Sequence, residues 1–327
     1  MKSKRITALA GALVVAATTL AACGGGSGGG NSAEVVWYTG VNPAENTATI
    51  KAFNKAHPEI KVTPLRRPSS ELAVRYSKER ASGGRSADVV SVADPGVIAE
   101  GVKQGWWDTT VEKPSNWPAK EWDEGVAKVN IVPIGIGYNT DKVKGDAVPK
   151  GWEDLLKPTF KGKLLLADPR SSPAYLSLLQ IWADEYGMDF LSDFADQDPQ
   201  LVDSIVPGNQ NLGAGSASVL VPDAHPAAAA VKADGGPIDV VDTSPTTGVE
   251  TFGAVSNNAQ DPEAARAFYE FLLTEEGQST LNGSTASSVL GAVGKTTKLP
   301  DGYIALGDIY PKAEANRKKL LTARGLN

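Results

Sequence analysis

Short apolar runs rich in β-branched residues alternate with helical patterns along this chain of 327 residues. The first three strand-like runs are residues 34–38, 60–65 and 87–93. Between the first two, residues 44–56 place Ile50 and Phe53 on one face of an amphipathic helix. Strands that alternate with helices in this way indicate an α/β protein with mainly parallel sheets.

One long apolar run, residues 129–138, is interrupted by Pro133, Gly135 and Gly137. Proline cannot donate to a sheet ladder, and glycine in a strand marks a bend. The interruption therefore predicts a strand that leaves one sheet and enters another. A second apolar run at residues 252–255 predicts the return of the chain to the first sheet.

The first 22 residues have the pattern of a secretory signal. Three cationic residues precede an uncharged apolar stretch, residues 6–20, which is too short to span a bilayer. The stretch ends in Leu20-Ala21-Ala22-Cys23, which resembles a bacterial lipobox, where cleavage precedes a cysteine that becomes lipidated. We expect a signal peptide at residues 1–22 and lipidation of Cys23.

The residues after Cys23 are almost all glycine, which predicts a flexible tether over residues 23–32. Cys23 is also the sole cysteine of the sequence, which excludes an intrachain disulfide or a cysteine-based metal site. The expected location is therefore a lipid anchor at the cell membrane, outside the cytoplasm, on the extracellular face or in the periplasm.

Charge excludes two classes of partner. The predicted signal carries three cations and no acid, so its removal takes the formal net charge from −6 to −9. A chain this acidic is unsuited to nucleic acid or to the phospholipid surface. We expect contact with the membrane through the lipid alone.

Four stretches, in order along the chain, resemble the extracellular solute-binding proteins of bacterial ABC importers. They are WYTG at 37–40, SADVV at 86–90, GYNT at 137–140 with GWEDLL at 151–156 and FKGKL at 160–164, and DPEAA at 261–265 with FLLTEEGQ at 271–278. Within this family the pattern is most similar to the ferric-iron-binding subgroup.

The resemblance implies an α/β, two-lobed, periplasmic-binding-protein type II-like fold with two crossing strands. Lobe 1 would comprise residues 33–132 and 252–327, and lobe 2 residues 133–251. A small solute would be held between the lobes, outside the carboxyl ends of the strands. The implied partner is a membrane-embedded ABC permease, and the implied state is a monomer that needs no cofactor.

Arg170, Ser171 and Ser172 lie between a predicted strand and a predicted helix that has Pro173 near its start. Backbone N–H groups at a helix start, together with the two hydroxyls, suit an anion. The family's equivalent segment binds a phosphate-like or carbonate-like anion. The alternative interpretation is ordinary helix capping, with Arg170 directed to solvent.

Further candidates for ligand binding lie at strand ends or in the segment before residue 219. They are Tyr38, Thr39, Asp94, Asn209, Ser216 and Asp223. Tyr38, Thr39 and Asp94 end predicted strands, and Asn209 and Ser216 fall in a predicted glycine-rich loop that also contains Asn211. Each could equally be a turn residue.

The sequence departs from the ferric-binding pattern where that subgroup carries two adjacent tyrosines. Residues 222–226 read PDAHP, without a tyrosine. Ferric iron prefers charged oxygen ligands, so most of such a site is missing. Asp223 and His225 could form a reduced metal site, although a histidine in this position is also typical of a helix cap or a surface.

The expected ligand is therefore a small anionic or zwitterionic solute, such as a phosphonate, a phosphate ester or a carboxylate. Asp223 would be available for a ligand ammonium group. Ferric iron remains the alternative ligand.

An enzyme and a structural lipoprotein are the competing classes. A G-x-S-x-G elbow between a strand and a helix, an H-E-x-x-H motif and a P-loop do not occur, and two histidines leave few general bases. We expect no catalysis. The interrupted strands and the family pattern argue against a purely structural or adhesive role.

Overall fold

The computed structural model describes residues 33–326. The predicted signal peptide, the tether and Cys23 lie outside these residues. Two β-sheets organise the described part of the chain, and helices pack on both. This confirms the predicted α/β class.

Six strands form the first sheet. They are β1 (Ala33–Thr39), β2 (Ile60–Arg66), β3 (Val89–Val92), β4 (Trp122–Asp123), β5 (Val126–Pro133) and β11 (Gly248–Val255). Their order across the sheet is β2-β1-β3-β11-β5-β4. β1 pairs in parallel with β2 and β3, whereas β11 runs antiparallel to β3 and β5.

Five strands form the second sheet. They are β6 (Gly135–Asn139), β7 (Leu164–Ala167), β8 (Gln200–Val202), β9 (Val219–Asp223) and β10 (Ile238–Val241). Their order is β10-β6-β9-β7-β8, with β7 parallel to β8 and β9 and with β6 antiparallel to both of its neighbours. Both sheets are therefore mixed, with parallel strands on one side and antiparallel crossing strands on the other, and the expectation of mainly parallel sheets was wrong because the crossing strands pair antiparallel.

The chain crosses between the sheets where proline and glycine interrupt it. Pro133 ends β5 in the first sheet, and Gly135 begins β6 in the second. The chain returns between β10 and β11, over residues 242–247, which is earlier than the predicted return near residue 252. The difference arises because β11 begins at Gly248 and pairs with β5 from Gly248 to Gly253.

Helices of the first sheet pack on its two faces. They are α1 (Pro43–Ala56), α2 (Ser69–Ala81), α3 (Pro95–Gln104), α8 (Pro262–Leu272) and α9 (Glu275–Asn282). Side chains alternate along β1: Trp37 packs with Phe53 and Phe268 on one face, and Tyr38 packs with Leu72 on the other. The sheet therefore has an apolar layer on each side.

The remaining helices pack with the second sheet. They are α4 (Pro173–Glu185), α5 (Met188–Asp196), α6 (Ile205–Gly213), α7 (His225–Ala233), α10 (Leu306–Ala315) and α11 (Arg317–Ala323). Leu306, Leu320 and Leu321 share one apolar cluster with Trp182 of α4 and Phe194 of α5. The sequence placed residues 252–327 with the first sheet. In the structure, α10 and α11 pack against α4 and α5 of the second sheet, which cover the apolar faces of α10 and α11.

No helix within residues 33–326 is both long enough and apolar enough to cross a bilayer.

Candidate functional site

Two neighbouring cavities lie where the first sheet, the second sheet and the crossing strands meet. The hinge cavity, of about 130 Å³, is lined by Gly40 and Asn42 after β1, by Asn130 of β5 and Thr251 of β11, and by Pro226 of α7. The carboxyl ends of β1 and β3 open into it, which is the usual position of a ligand in an α/β fold.

The interlobe cavity, of about 610 Å³, is lined mainly by apolar residues of α6 and α7. Asn42, Val132, Pro226 and Val249 line both cavities, so the two spaces adjoin across the crossing strands. Together they form one cleft with a small polar end and a larger apolar end.

Amide and hydroxyl groups shape the polar end. Asn130 Nδ2 donates to Asn282 Oδ1 over 2.9 Å, and Ser69 Oγ accepts the N–H of Ala93 over 3.0 Å. A Cβ atom at Gly40 would lie 2.5 Å from Ser69 Oγ, so a larger residue here would displace the Ser69 hydroxyl from its bond to Ala93. The hydrogen bonds hold the wall residues in fixed directions.

Glu45 lies in the first turn of α1 and lines the hinge cavity. Its Oε2 atom is fully buried and has no hydrogen-bond partner within residues 33–326. Among the described residues that line this cavity, Glu45 carries the sole charge. The polar end of the cleft is therefore negatively charged.

Tyr38 and Thr39 lie beside the cleft but use their side chains elsewhere. Tyr38 donates to both carboxylate oxygens of Glu79, at 3.1 and 3.0 Å, within the apolar layer under α2. Thr39 Oγ1 donates to Asn46 Oδ1 over 3.2 Å and accepts the N–H of Val41 over 3.1 Å. Thr39 thus fixes the start of α1 and Tyr38 lies under α2, and neither is among the described lining residues of the two cavities.

Asp94 and Ser216 also satisfy local backbone groups. Asp94 is the N-cap of α3 and accepts the N–H of Val97 over 2.9 Å. Ser216 is exposed, and its hydroxyl donates to the carbonyl of Asn211 over 2.8 Å. These are the turn and cap roles that the sequence left open.

The predicted anion segment lies ahead of α4, and it supplies no lining residue among those described for the two cavities. Arg170 pairs with Asp168, with Nη2 and Oδ2 at 2.8 Å, and this pairing lowers the pKa of the Asp168 carboxyl. Ser171 Oγ donates to the carbonyl of Asp168 over 2.7 Å. Ser172 is the N-cap of α4, and its side chain makes no capping hydrogen bond to the described residues.

Asn209 does not lie in a loop, as predicted, but on α6, where its side chain is buried against β9. It donates through Nδ2 to Asp223 Oδ1 over 2.6 Å, and the N–H of Ala224 donates to the same oxygen over 2.7 Å. Burial raises the pKa of Asp223 to about 7. Its Oδ2 finds no partner among the described residues and lies against Gly137.

His225 begins α7 and forms a hydrogen bond with Asp242, with Nε2 and Oδ1 at 2.8 Å. This bond raises the pKa of the imidazole. Asp223 is held by Asn209 instead, so the two residues of the alternative metal site have different partners. Across residues 33–326, no three His, Cys, Asp or Glu side chains are grouped so that they could hold a metal ion.

The residues of the hinge cavity that the sequence did not predict include Asn42, Glu45, Asn130 and Thr251. Asn130 and Thr251 are polar residues within apolar strands, which is a usable signal for a cavity between sheets. Glu45 follows Asn42 by three residues, so in the sequence it is indistinguishable from a helix-capping residue.

Comparison with known proteins agrees with this architecture. The family described as bacterial extracellular solute-binding protein matches residues 35–284. An uncharacterized protein of Haemophilus influenzae is 29% identical over 259 residues, which are 75% of this chain and 73% of that protein.

Solved structures share the fold at low identity. The substrate-binding protein of an ABC transporter from Agrobacterium tumefaciens has a TM-score of 0.74 at 16% identity, covering 91% of this chain and 96% of its own. Iron-bound HitA from Pseudomonas aeruginosa has a TM-score of 0.64 at 16% identity, covering 89% and 98%.

The periplasmic binding protein AfuA from Actinobacillus pleuropneumoniae, with fructose-6-phosphate bound, has a TM-score of 0.62 at 19% identity, covering 89% of this chain and 97% of its own. These solved structures thus share the fold of this chain. With the family match over most of its length, this chain belongs to the bacterial extracellular solute-binding proteins.

Proposed function

We propose that this protein is the receptor of a bacterial ABC importer, which captures a small solute in the cleft and delivers it to a membrane-embedded permease without catalysing a reaction. The observation that carries the proposal is the cleft itself. Both crossing strands and residues from both sheets line it, so a bound solute would touch every part that a domain closure moves.

The solute is proposed to be anionic or zwitterionic, such as a phosphonate, a phosphate ester or a carboxylate. The amides and hydroxyls at the polar end of the cleft can donate to the oxygens of such a molecule. AfuA, which shares the fold, is a binder of fructose-6-phosphate. Ser171 and Ser172 remain proposed donors that would reach the solute when the lobes close.

A thermal-shift screen of the full chain tests the proposal with phosphonates, phosphate esters, carboxylates, amino acids and ferric citrate. A ligand present at a hundredfold excess over its dissociation constant adds about 2.7 kcal/mol to the free energy of unfolding. If no compound of this panel raises the melting temperature, the receptor function is contradicted.

The double variant Ser171→Ala/Ser172→Ala tests the two hydroxyls with the ligand that the screen identifies. Loss of affinity by tenfold or more would support their role, since one hydrogen bond to a charged group is worth about 1.5–3 kcal/mol. Unchanged affinity would remove both serines from the site and leave the receptor function intact.

Ferric iron is the alternative solute, since iron-bound HitA shares the fold. Asp223 and His225 are the candidate ligands for it. A melting-temperature rise with ferric citrate, lost in His225→Ala, would favour this alternative over an organic solute.

We further propose that residues 1–22 are removed, that Cys23 is lipidated, and that a monomer is anchored outside the cytoplasm. Growth with a labelled palmitate tests this directly. Label should enter the wild-type protein and not Cys23→Ser, and the wild type alone should partition into a detergent phase. Labelling of Cys23→Ser would contradict the anchor.

A further inference from the structure

We propose that Glu45 binds a protonated amine of the solute, which makes the hinge cavity selective for ligands with a cationic nitrogen. The inference rests on the proposed function and narrows its substrate class to zwitterionic solutes. It follows from three observations on this one side chain: its missing cap bond, its buried oxygen and the charges around it.

The position of Glu45 predicts a helix cap that the structure does not form. A glutamate three residues after the N-cap usually accepts the N–H of the N-cap residue, here Asn42. No hydrogen bond joins Glu45 to that group or to any other residue in the described part of the chain. The carboxylate instead lies beside Gly283, on the wall of the hinge cavity.

The burial of Oε2 makes an unpartnered carboxylate costly. A buried polar group without a partner is unfavourable because it has lost its bonds to water, and the cost is larger when the group is charged. Oε1 is not fully buried and likewise has no partner among the described residues, so a ligand donor in the cavity can reach Oε1 and neutralise the charge that burial of Oε2 leaves poorly solvated. The energetic gain is therefore specific to ligands that carry a donor at this point.

The surrounding charges select a cationic donor. Asn42, Ser69, Asn130 and Thr251 are neutral, and no lysine or arginine is present among the described lining residues of either cavity. Asp234 carries the sole charge among the described residues that line the interlobe cavity. An ammonium group thus finds an attractive field in the cleft, while the amides and hydroxyls remain for the other end of the solute.

A bare metal cation fits the same position poorly. Divalent and ferric ions take several charged or carbonyl oxygens at once. Within residues 33–326, Glu45 belongs to no group of three metal-ligating side chains. One carboxylate beside neutral amides matches the three N–H donors of an ammonium group instead.

The test compares probes that differ by the amine alone. The pairs are 2-aminoethylphosphonate with ethylphosphonate, phosphoethanolamine with ethyl phosphate, and β-alanine with propionate. Titration calorimetry of the full chain should show at least about tenfold tighter binding of the amine in one pair or more, as expected for a charge-assisted hydrogen bond.

Three variants connect that preference to the side chain. Glu45→Gln should reduce the preference for the amine to less than about threefold, and Glu45→Asp should keep part of it because the charge remains. Glu263→Gln is the matched control, since Glu263 occupies the first turn of α8 and is exposed. The control should bind like the wild type, and an unchanged melting temperature in Glu45→Asp shows that the fold tolerates a change at this position.

Equal binding of both members of every pair, or an amine preference that survives in Glu45→Gln, would overturn the inference. Binding of amine-free solutes alone would also overturn it, while the proposed receptor function would stand. Failure of every probe and of the whole screening panel to bind would overturn the receptor function itself.

Discussion

Removal of the buried ammonium of Lys128 should strongly destabilise the crossing strands. Lys128 lies on β5 and pairs with Glu121 and Glu250 at 2.8 Å each, and its side chain is 8% exposed. Glu250 Oε1 also accepts the hydroxyl of Tyr303 over 2.9 Å and the N–H of Leu306 over 3.0 Å. The network thus joins both crossing strands to the segment that leads into α10.

Replacement of Lys128 by methionine leaves two carboxylates in the network without their cation. Burial acts to lower the pKa of the Lys128 ammonium, but the hydrogen bonds and charges of Glu121 and Glu250 outweigh it and raise that pKa overall. The ammonium is therefore firmly held as a cation. Removal of one partner from a buried ion pair costs about 3–5 kcal/mol.

Lys120→Met is a matched control because Lys120 faces the same carboxylate from solvent. Its Nζ lies 3.7 Å from Glu121 Oε1, and its side chain is 82% exposed. An exposed pair of this kind contributes less than about 1 kcal/mol. Each variant thus removes one ammonium group that faces Glu121. The ammonium group is buried in Lys128 and exposed in Lys120.

The assay is reversible urea unfolding followed by tryptophan fluorescence. With an m-value of about 3 kcal/mol per molar urea, Lys128→Met should lower the midpoint by about 1–1.7 M, and Lys120→Met by less than about 0.3 M. Equal shifts in the two variants would refute the argument that burial of Lys128 sets the cost.

A second substitution distinguishes the loss of the attraction between Lys128 and Glu250 from the cost of leaving the Glu250 carboxylate buried without a cation. Glu250→Gln keeps an oxygen for Tyr303 and Leu306 and removes the charge that faces Lys128. The double variant Lys128→Met/Glu250→Gln should therefore be more stable than the sum of the two single changes predicts, by about 1–3 kcal/mol. Additive costs would mean that the two charges do not interact.

Three further predictions concern the second sheet and the capping of α8. The raised pKa of Asp223 means that its stabilising protonated form is fully present below the ordinary value of 3.8 and is lost as pH rises through about 7. Measured relative to Asp223→Asn, the free energy of unfolding of the wild type should fall by up to about 4 kcal/mol between about pH 4 and pH 8. If urea titrations give the same difference between the two proteins at every pH, this prediction is contradicted. Gly137→Ala should cost about 1–3 kcal/mol because its Cβ would overlap the buried carboxyl group of Asp223, and a neutral effect on the melting temperature would show that Asp223 can move. Asp261→Ala should cost about 1 kcal/mol, since Asp261 accepts the N–H of Ala264 over 3.1 Å at the start of α8, and an unchanged urea midpoint would show that the cap is replaced by water.

Elements with a strong local signal were predicted well from the sequence. The strand at residues 60–65 and the helix at residues 44–56 are confirmed to within one residue at each end, because alternating apolar residues and an amphipathic face are local features. No element was predicted for residues 69–81, which form α2. Its buried stripe of Leu72, Ala73 and Tyr76 is short and is surrounded by charged residues, so the helical period is weak.

The direction of each side chain at the cleft could not be obtained from the sequence. Tyr38 and Thr39 both end β1, yet alternation turns Tyr38 under α2, and Thr39 is drawn into the start of α1. Asn209 was predicted in a loop because glycine and asparagine are frequent in turns, but packing against β9 makes this segment helical. Tertiary contacts override local preference in both cases.

A bulge in β5 explains why the cleft residues of the crossing strands are hidden from sequence periodicity. Lys128 and Asn130 are two residues apart, so a regular strand would point them to the same face. The register with β11 shifts at this point: Thr251 lies opposite Asn130, and Phe252 lies opposite Lys128. One extra residue in β5 therefore turns Asn130 to the opposite side from Lys128.

Because of the bulge, the residues that line the hinge cavity and the residues of the ion network lie on opposite faces of β5 and β11. On one face, Asn130 and Thr251 line the hinge cavity beside Glu45. On the other face, Lys128 and Glu250 form the buried ion network. Because bulges bend and twist a strand locally, a rotation of the lobes about this point would act on both faces at once. Because the buried charges are costly to desolvate, we expect the network to fix the register of the crossing strands, while the opposite face lines the hinge cavity.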